Sequence, residues 1–227
     1  MNAELKKEKL SEMNSCKELI FFLQKRLNIQ YVRVCFYAKG LIKERLIRGR
    51  HIVFFTPIDS ESERERYERK SESAQTNYTT KSPMIHFPDV TIDELIQIFQ
   101  CGVEDESANT ISRLKNEYDI EADKYIFIAF LFLHEVGHWN QLIADDHKVR
   151  IFLLRDFEEE KRNHDAQSAI INSALRKNGN NKLVNGFGLN NKEKEKLRKL
   201  QEEYRRIPKE ADADKYAVEM LKSIVSL

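Results

Sequence analysis

From Leu131 to Trp139 the sequence is Leu-Phe-Leu-His-Glu-Val-Gly-His-Trp, at the end of an apolar run that spans Tyr125 to Leu133. Residues four apart lie on one face of a helix, so His134 and His138 can direct their imidazoles at the same metal ion. Zn²⁺ accepts such nitrogen ligands in a tetrahedral shell. Glu135 follows the first histidine and is predicted to be the general base that takes a proton from water activated by the metal.

A short pattern of this kind also arises by chance, usually on an exposed polar stretch. Here it continues an apolar helix, in which two histidines and a glutamate would be costly to bury without a partner. The metal-site interpretation is therefore favoured over a chance match.

A second helix near the C-terminus is predicted to supply the third ligand. Pro208 suits the first position of a helix. Glu210 and Asp214 share a stripe with Ala217 and Leu221. The opposite, solvated face carries Asp212, Lys215, Glu219 and Lys222. We predict that Glu210 binds the metal and that Asp214 accepts the second ring N–H of a ligand histidine. The alternative is an ordinary amphipathic helix with two acids at the edge of its apolar face.

Together these motifs resemble the gluzincin group of zinc metallopeptidases. The segment 210–217, Glu-Ala-Asp-Ala-Asp-Lys-Tyr-Ala, is similar to the Glu-x-x-Ala-Asn/Asp-x-Phe-Ala pattern of the ImmA/IrrE-type peptidases, whose first glutamate is a metal ligand. That position is Glu210 here. A weaker similarity links the His-Glu-x-Gly-His-Trp form to the membrane-embedded CAAX-prenyl-protease (HtpX-like) group. The resemblance implies a zincin-like fold and hydrolysis of an intracellular protein substrate. The long separation of the two motifs implies a helical insertion, assigned to residues 145–207.

Composition sets further limits on the class of protein. The 227 residues are 41% hydrophobic and 33% charged with few glycines and prolines, which predicts one helix-rich domain spanning 1–227. A net charge of +1 gives no electrostatic case for nucleic acid or membrane binding. No apolar segment approaches the roughly 20 residues that span a bilayer. Cys16, Cys35 and Cys101 show neither disulfide nor metal spacing, so we expect a cytoplasmic protein.

The N-terminal part is predicted to contribute a small sheet. The pattern indicates a helix from about Ala3 to Leu27 and strands at 31–37 and 51–55, with a short helix or a further strand at 41–47. A basic run from Arg33 to Arg50 is interpreted as a solvated face rather than a nucleic-acid contact. Residues 59–82 are predicted to be a flexible charged loop. Met84 to Phe87 is predicted to be an edge strand, which in zincins pairs with an extended substrate.

Capping signals predict most of the remaining helices. A capping box at Thr91 and Glu94 precedes a helix that ends near Gln100, where Gly102 closes it, and another helix covers 107–118. Asp119 is the expected cap of the metal-site helix at about 121–144. The insertion is expected to contain a helix ending near Gly179, with His164 facing solvent. Asn190 and Glu193 are expected to cap a further helix that runs to about Arg206.

The predicted fold is therefore mainly helical α+β and zincin-like, with a small sheet. The predicted function is that of a zinc metalloendopeptidase with a protein or peptide substrate, and Tyr204 and Tyr216 are candidates for stabilising the oxyanion. The rival hypothesis is a zinc-binding regulatory or structural module with little hydrolytic activity. Such a module has no need of Glu135, so the presence of this residue favours the enzyme.

Overall fold

The fold is α+β and mainly helical, as predicted, with a small sheet. The computed structural model describes residues 10, 12–47, 51–57, 83–100, 105–178 and 189–225. In chain order the elements are α1 (Cys16–Arg26), β1 (Val34–Ala38), α2 (Gly40–Ile47), β2 (Phe54–Thr56), β3 (Met84–Asp89), α3 (Ile92–Gln100), α4 (Glu106–Tyr118), α5 (Lys124–Ala144), α6 (Val149–Leu154), α7 (Phe157–Asn178), α8 (Asn191–Arg205) and α9 (Pro208–Val225).

Helix α5 is the central element of the core. Most of its apolar residues are buried, because α1, α3, α4, α9 and the sheet all pack against it. Asp123 caps its N-terminus and accepts hydrogen bonds of 3.0 Å from the amides of Tyr125 and Ile126. The prediction that Asp119 is this cap is wrong. Asp119 ends α4 instead, in the left-handed conformation (φ 56°) that aspartate tolerates better than most residues.

The sheet has the strand order β1-β3-β2, so the prediction of an edge strand at 84–87 is wrong. Strand β3 extends to Asp89 and is parallel to β1 and antiparallel to β2. Pro88 is tolerated because β2 pairs only with residues 84–86, which leaves the proline beyond the part of β3 that has neighbours on both sides. Of the strands that the structure describes, β2 forms the edge nearest the metal-site helix. Strand β2 begins at Phe54, three residues later than predicted.

Helix α1 is shorter than predicted. Ser15 has an extended backbone (φ −115°, ψ 151°) and forms a capping box with Glu18, so the helix begins at Cys16 rather than near Ala3. The predicted helix is thus interrupted before residue 16, and residues 1–9 and 11 lie outside the described part. The undecided segment at 41–47 is helical, as α2.

The capping boxes at Thr91 and at Asn190 are confirmed, and α9 begins at Pro208 as predicted. The insertion contains two consecutive helices before residue 179, because the chain turns at Arg155 and Asp156 between α6 and α7. The predicted loop at 59–82 and the glycine at 102 lie outside the described residues. Among the helices that are described, none is long and apolar enough to cross a membrane.

Candidate metal centre

The site forms where α9 crosses α5, at a contact that requires glycine. A Cβ placed on Gly137 would lie 2.7 Å from the Cα of Ala213 and 3.1 Å from its Cβ and carbonyl oxygen. Only glycine therefore permits this approach without displacing backbone. Because Glu210 lies about one turn before Ala213, the close approach carries its carboxylate towards the histidines of α5.

Three donor groups converge at this crossing, and all three residues are buried. His134 Nε2 lies 3.2 Å from His138 Nε2 and 3.3 Å from Glu210 Oε2, and His138 Nε2 lies 3.5 Å from Glu210 Oε1. Tetrahedral ligands bound at 2.0–2.1 Å are separated from one another by about 3.3 Å. The closest contacts, in which each oxygen of Glu210 faces a different histidine, are near this spacing. His134, His138 and Glu210 therefore form a group that can hold a metal.

Asp214 occupies the position expected of a partner to a ligand histidine. Its Oδ1 lies 2.8 Å from His134 Nδ1. Since a carboxylate only accepts hydrogen bonds, Nδ1 carries the hydrogen and Nε2 is left to face the other donors. Two arginines hold the carboxylate in place: Arg205 donates to Oδ1 at 2.9 Å and Arg113 donates to Oδ2 at 2.7 Å. No sequence pattern marks either arginine, because both contacts join separate helices.

Gln141 performs the corresponding role for His138. The Nδ1–H group of His138 donates to Gln141 Oε1 at 3.0 Å, and Gln141 Nε2 donates to the carbonyl oxygen of Lys209 at 2.7 Å. This side chain thus orients the second histidine and ties α5 to the residue before Glu210. Gln141 was not predicted from the sequence, although its position three residues after His138 places it on the same helix face.

Positive charge stabilises both buried carboxylates of the site. Burial opposes ionisation of Glu210 and Asp214, but the two histidines beside Glu210 and the Arg205 guanidinium beside Asp214 hold the pKa of each carboxyl well below its usual range. Burial also opposes charge on His134, but hydrogen bonds to Asp214 and Glu210 outweigh this effect and raise its pKa to about 9. Arg113 and Arg205 already pair with Asp214, so a proton on His134 or a metal ion can balance the charge of Glu210.

A cleft with a volume of about 350 Å³ opens over the three donors. One wall is the segment 51–57, which includes the edge strand β2. Glu135 lines the cleft and is partly exposed, so its carboxylate is accessible to a molecule bound there. Apolar side chains from several helices also line the cleft, among them Phe99, Leu131, Phe152 and Leu153.

The two tyrosine candidates differ in position. Tyr204 lines the cleft, and burial together with the negative charges of Glu210 and Glu160 raises its pKa. The phenol therefore keeps its hydrogen, and it is hydrogen-bonded to the Glu210 carboxylate. Tyr216 does not line the cleft and is hydrogen-bonded to Asn140. His51 was not singled out from the sequence, yet it lines the cleft and stacks on Tyr204 at a ring separation of 6.2 Å.

Two further histidines lie outside the cleft lining. The side chain of His164 is 67% exposed and faces solvent, as predicted. His86 stacks on Phe54 within the sheet, with a ring separation of 4.5 Å. Neither belongs to the donor group described above.

No protein-family model matches this sequence, and no curated protein and no solved structure is significantly similar to the chain.

Proposed function

We propose that this protein is a zinc-dependent metallopeptidase with a zincin-like fold, which hydrolyses peptide bonds of an intracellular protein substrate. The observation that carries the proposal is the combination of a His-His-Glu donor set with Glu135 in an accessible cleft. Zinc is the metal favoured by two imidazoles and one carboxylate at tetrahedral spacing, and three protein ligands leave the fourth position open. The resemblance of the two motifs to gluzincins supports the same assignment.

His134, His138 and Glu210 would hold the ion. When bound, zinc polarises a carbonyl group and lowers the pKa of water to about 7. Glu135 takes the proton of the attacking water and delivers it to the leaving amine. The Tyr204 phenol keeps its hydrogen, is hydrogen-bonded to Glu210 and lines the same cleft. It would stabilise negative charge on the carbonyl oxygen by turning its O–H from Glu210 towards the substrate.

The position of β2 supports a peptide substrate. This strand is an edge of the described sheet, and two of its three residues, Phe54 and Phe55, line the cleft beside the metal donors. An edge strand presents backbone donors and acceptors that can pair with an extended chain. The role first assigned to residues 84–87 is therefore proposed for 54–56 instead.

The alternative is a zinc-binding regulatory or structural module with little hydrolytic activity. Structural zinc sites have four protein ligands as a rule and are closed. Among the described residues the donor group has three members, and a cleft opens onto it. This openness, together with the accessible Glu135, favours the enzyme.

The test compares wild-type protein with Glu135→Gln on a mixture of unfolded proteins, with products detected by mass spectrometry and bound zinc measured in the same samples. We expect zinc-loaded wild type to cleave the mixture and Glu135→Gln to keep its zinc but lose at least about 100-fold in rate, because it lacks the general base. The matched control is Glu219→Gln, on the exposed face of α9, which should cleave like wild type. Zinc-loaded wild type without cleavage would support the regulatory module, and equal rates for wild type and Glu135→Gln would exclude the proposed mechanism.

A further inference from the structure

The helix that carries Glu210 is capped by a residue from the insertion rather than by its own flanking residue. Helix α9 begins at Pro208, and the preceding Ile207 has no side-chain acceptor for the unsatisfied amides of the first turn. The amide of Lys209 instead donates to Asp156 Oδ2 at 2.9 Å, across 53 residues of sequence. Asp156 lies at the turn between α6 and α7, so the insertion supplies this cap.

The same part of the insertion also holds the Lys209 side chain. Lys209 is 7% exposed, and its Nζ lies 2.8 Å from Glu160 Oε1 and 4.5 Å from the centre of the Phe152 ring. Phe152 in turn packs edge-on against His138, with ring centres 6.2 Å apart. A buried ammonium requires such partners, because an unpaired charge at this depth would be costly.

Lys209 is therefore fixed at three points immediately before the third metal donor. Asp156 binds its amide, Gln141 binds its carbonyl oxygen and Glu160 binds its ammonium. The carbonyl that Gln141 holds belongs to the peptide bond that joins Lys209 to Glu210. This peptide unit cannot rotate freely while the three contacts are in place, and its orientation determines where the Glu210 side chain begins.

We propose that Asp156 and Glu160 are positioning residues for Glu210, so that the segment 149–160 is part of the metal centre rather than an appendage to it. The proposal rests on the metal site of the proposed function, but it does not depend on whether that site cleaves peptides. Loss of the cap loosens the first turn of α9, in which Glu210 is the third residue, and loss of Glu160 releases the Lys209 side chain. Either change reduces the fraction of molecules in which Glu210 meets the two histidines.

The backbone of Asp156 allows a clean substitution. Its φ of 57° lies in the left-handed region, which glycine adopts without cost and asparagine tolerates. Asp156→Gly removes the cap without strain. Asp156→Asn removes the charge but keeps an oxygen that can accept from the Lys209 amide. The matched control is Glu159→Gln, an exposed carboxylate on the first turn of α7.

The experiment measures zinc affinity by competition with a chromogenic chelator and records the visible absorption of the Co²⁺-substituted protein, which reports on coordination geometry. Residues that orient metal ligands typically alter affinity by 10–100-fold, so we expect about tenfold weaker zinc binding and an altered Co²⁺ spectrum for Asp156→Gly. Asp156→Asn and Glu159→Gln should resemble wild type. The melting temperature of each metal-free variant shows whether the fold is intact.

Wild-type affinity and an unchanged Co²⁺ spectrum in Asp156→Gly would overturn the proposal, as would a wild type that binds neither metal. If Asp156→Gly does not fold, Glu160→Ala is the second variant, and we expect it to bind zinc more weakly than wild type. Wild-type zinc affinity in Glu160→Ala would contradict the role of Glu160 in positioning Glu210. The peptidase proposal fails separately, when zinc-loaded wild type does not cleave.

Discussion

Replacement of Gly137 by alanine tests whether the crossing of α5 and α9 controls the metal centre. The new Cβ would lie 2.7 Å from the Cα of Ala213, whereas carbon atoms in optimal contact are about 3.5–4.0 Å apart. Because the obstructing atoms include backbone, rotation of a side chain cannot relieve the overlap. Helix α9 must move by about 1 Å, and Glu210 moves with it, although metal–ligand distances tolerate only about 0.2 Å.

The expected effect on stability follows from two opposing terms. Overpacking costs about 1–3 kcal/mol, and contact with main-chain atoms places this site at the upper end. Alanine is the better helix former by about 1 kcal/mol, which offsets part of the cost. A net loss of about 2 kcal/mol lowers the melting temperature of a chain of this size by roughly 4–8 °C.

The assay is thermal unfolding of the metal-free protein, followed by chelator competition for zinc affinity. Gly40→Ala is the matched control, because nothing lies within 4 Å of a Cβ at that position, and it should retain both the melting temperature and the affinity. Adding Ala213→Gly to Gly137→Ala should restore only part of the loss, because the contact with Cα remains. The reasoning is refuted if Gly137→Ala binds zinc and unfolds as wild type does.

Two further predictions concern the metal itself. Elemental analysis should find about one zinc per chain in wild type and a sharp loss of zinc in Glu210→Ala. Asp212→Ala, whose substituted side chain is exposed, is the control and should keep the zinc. Equal zinc content in all three proteins would exclude Glu210 as a ligand. Since the pKa of His134 is raised to about 9 and a ligand imidazole must be neutral, metal binding below pH 9 should release about one proton from it, and affinity should increase as pH rises towards 9. Calorimetry in two buffers of different ionisation enthalpy counts this proton. Asp214→Asn weakens the hydrogen bond to His134, so this variant should release a smaller fraction of a proton. A zinc affinity that does not depend on pH between 6.5 and 9 would contradict the prediction.

Several predictions from the sequence agree with the structure because they depend on local interactions. The polar and apolar faces of α9 follow from helical periodicity, and its start follows from the fixed φ of Pro208. The capping boxes at Thr91 and Asn190 involve residues three apart, so the chain contains both partners of each interaction. The assignment of an N-cap from the sequence was wrong at Asp119, because both Asp119 and Asp123 lie close to the start of α5. Periodicity does not distinguish a residue that caps one helix from a residue that ends the preceding one.

Helical periodicity alone assigns residue types to the faces of each helix, and it was enough to predict His134, His138 and Glu210 as candidate donors. Three features depend on how the whole chain packs. They are the contacts of 3.2–3.5 Å between these donors, the position of β2 rather than β3 beside the cleft, and the cap that Asp156 provides for Lys209, 53 residues away. Helical faces are set by contacts between residues three or four apart, and the sequence displays these directly. The meeting of Gly137 with Ala213 and of Lys209 with Asp156 depends on how complete helices pack, and many pairings satisfy the same periodic pattern.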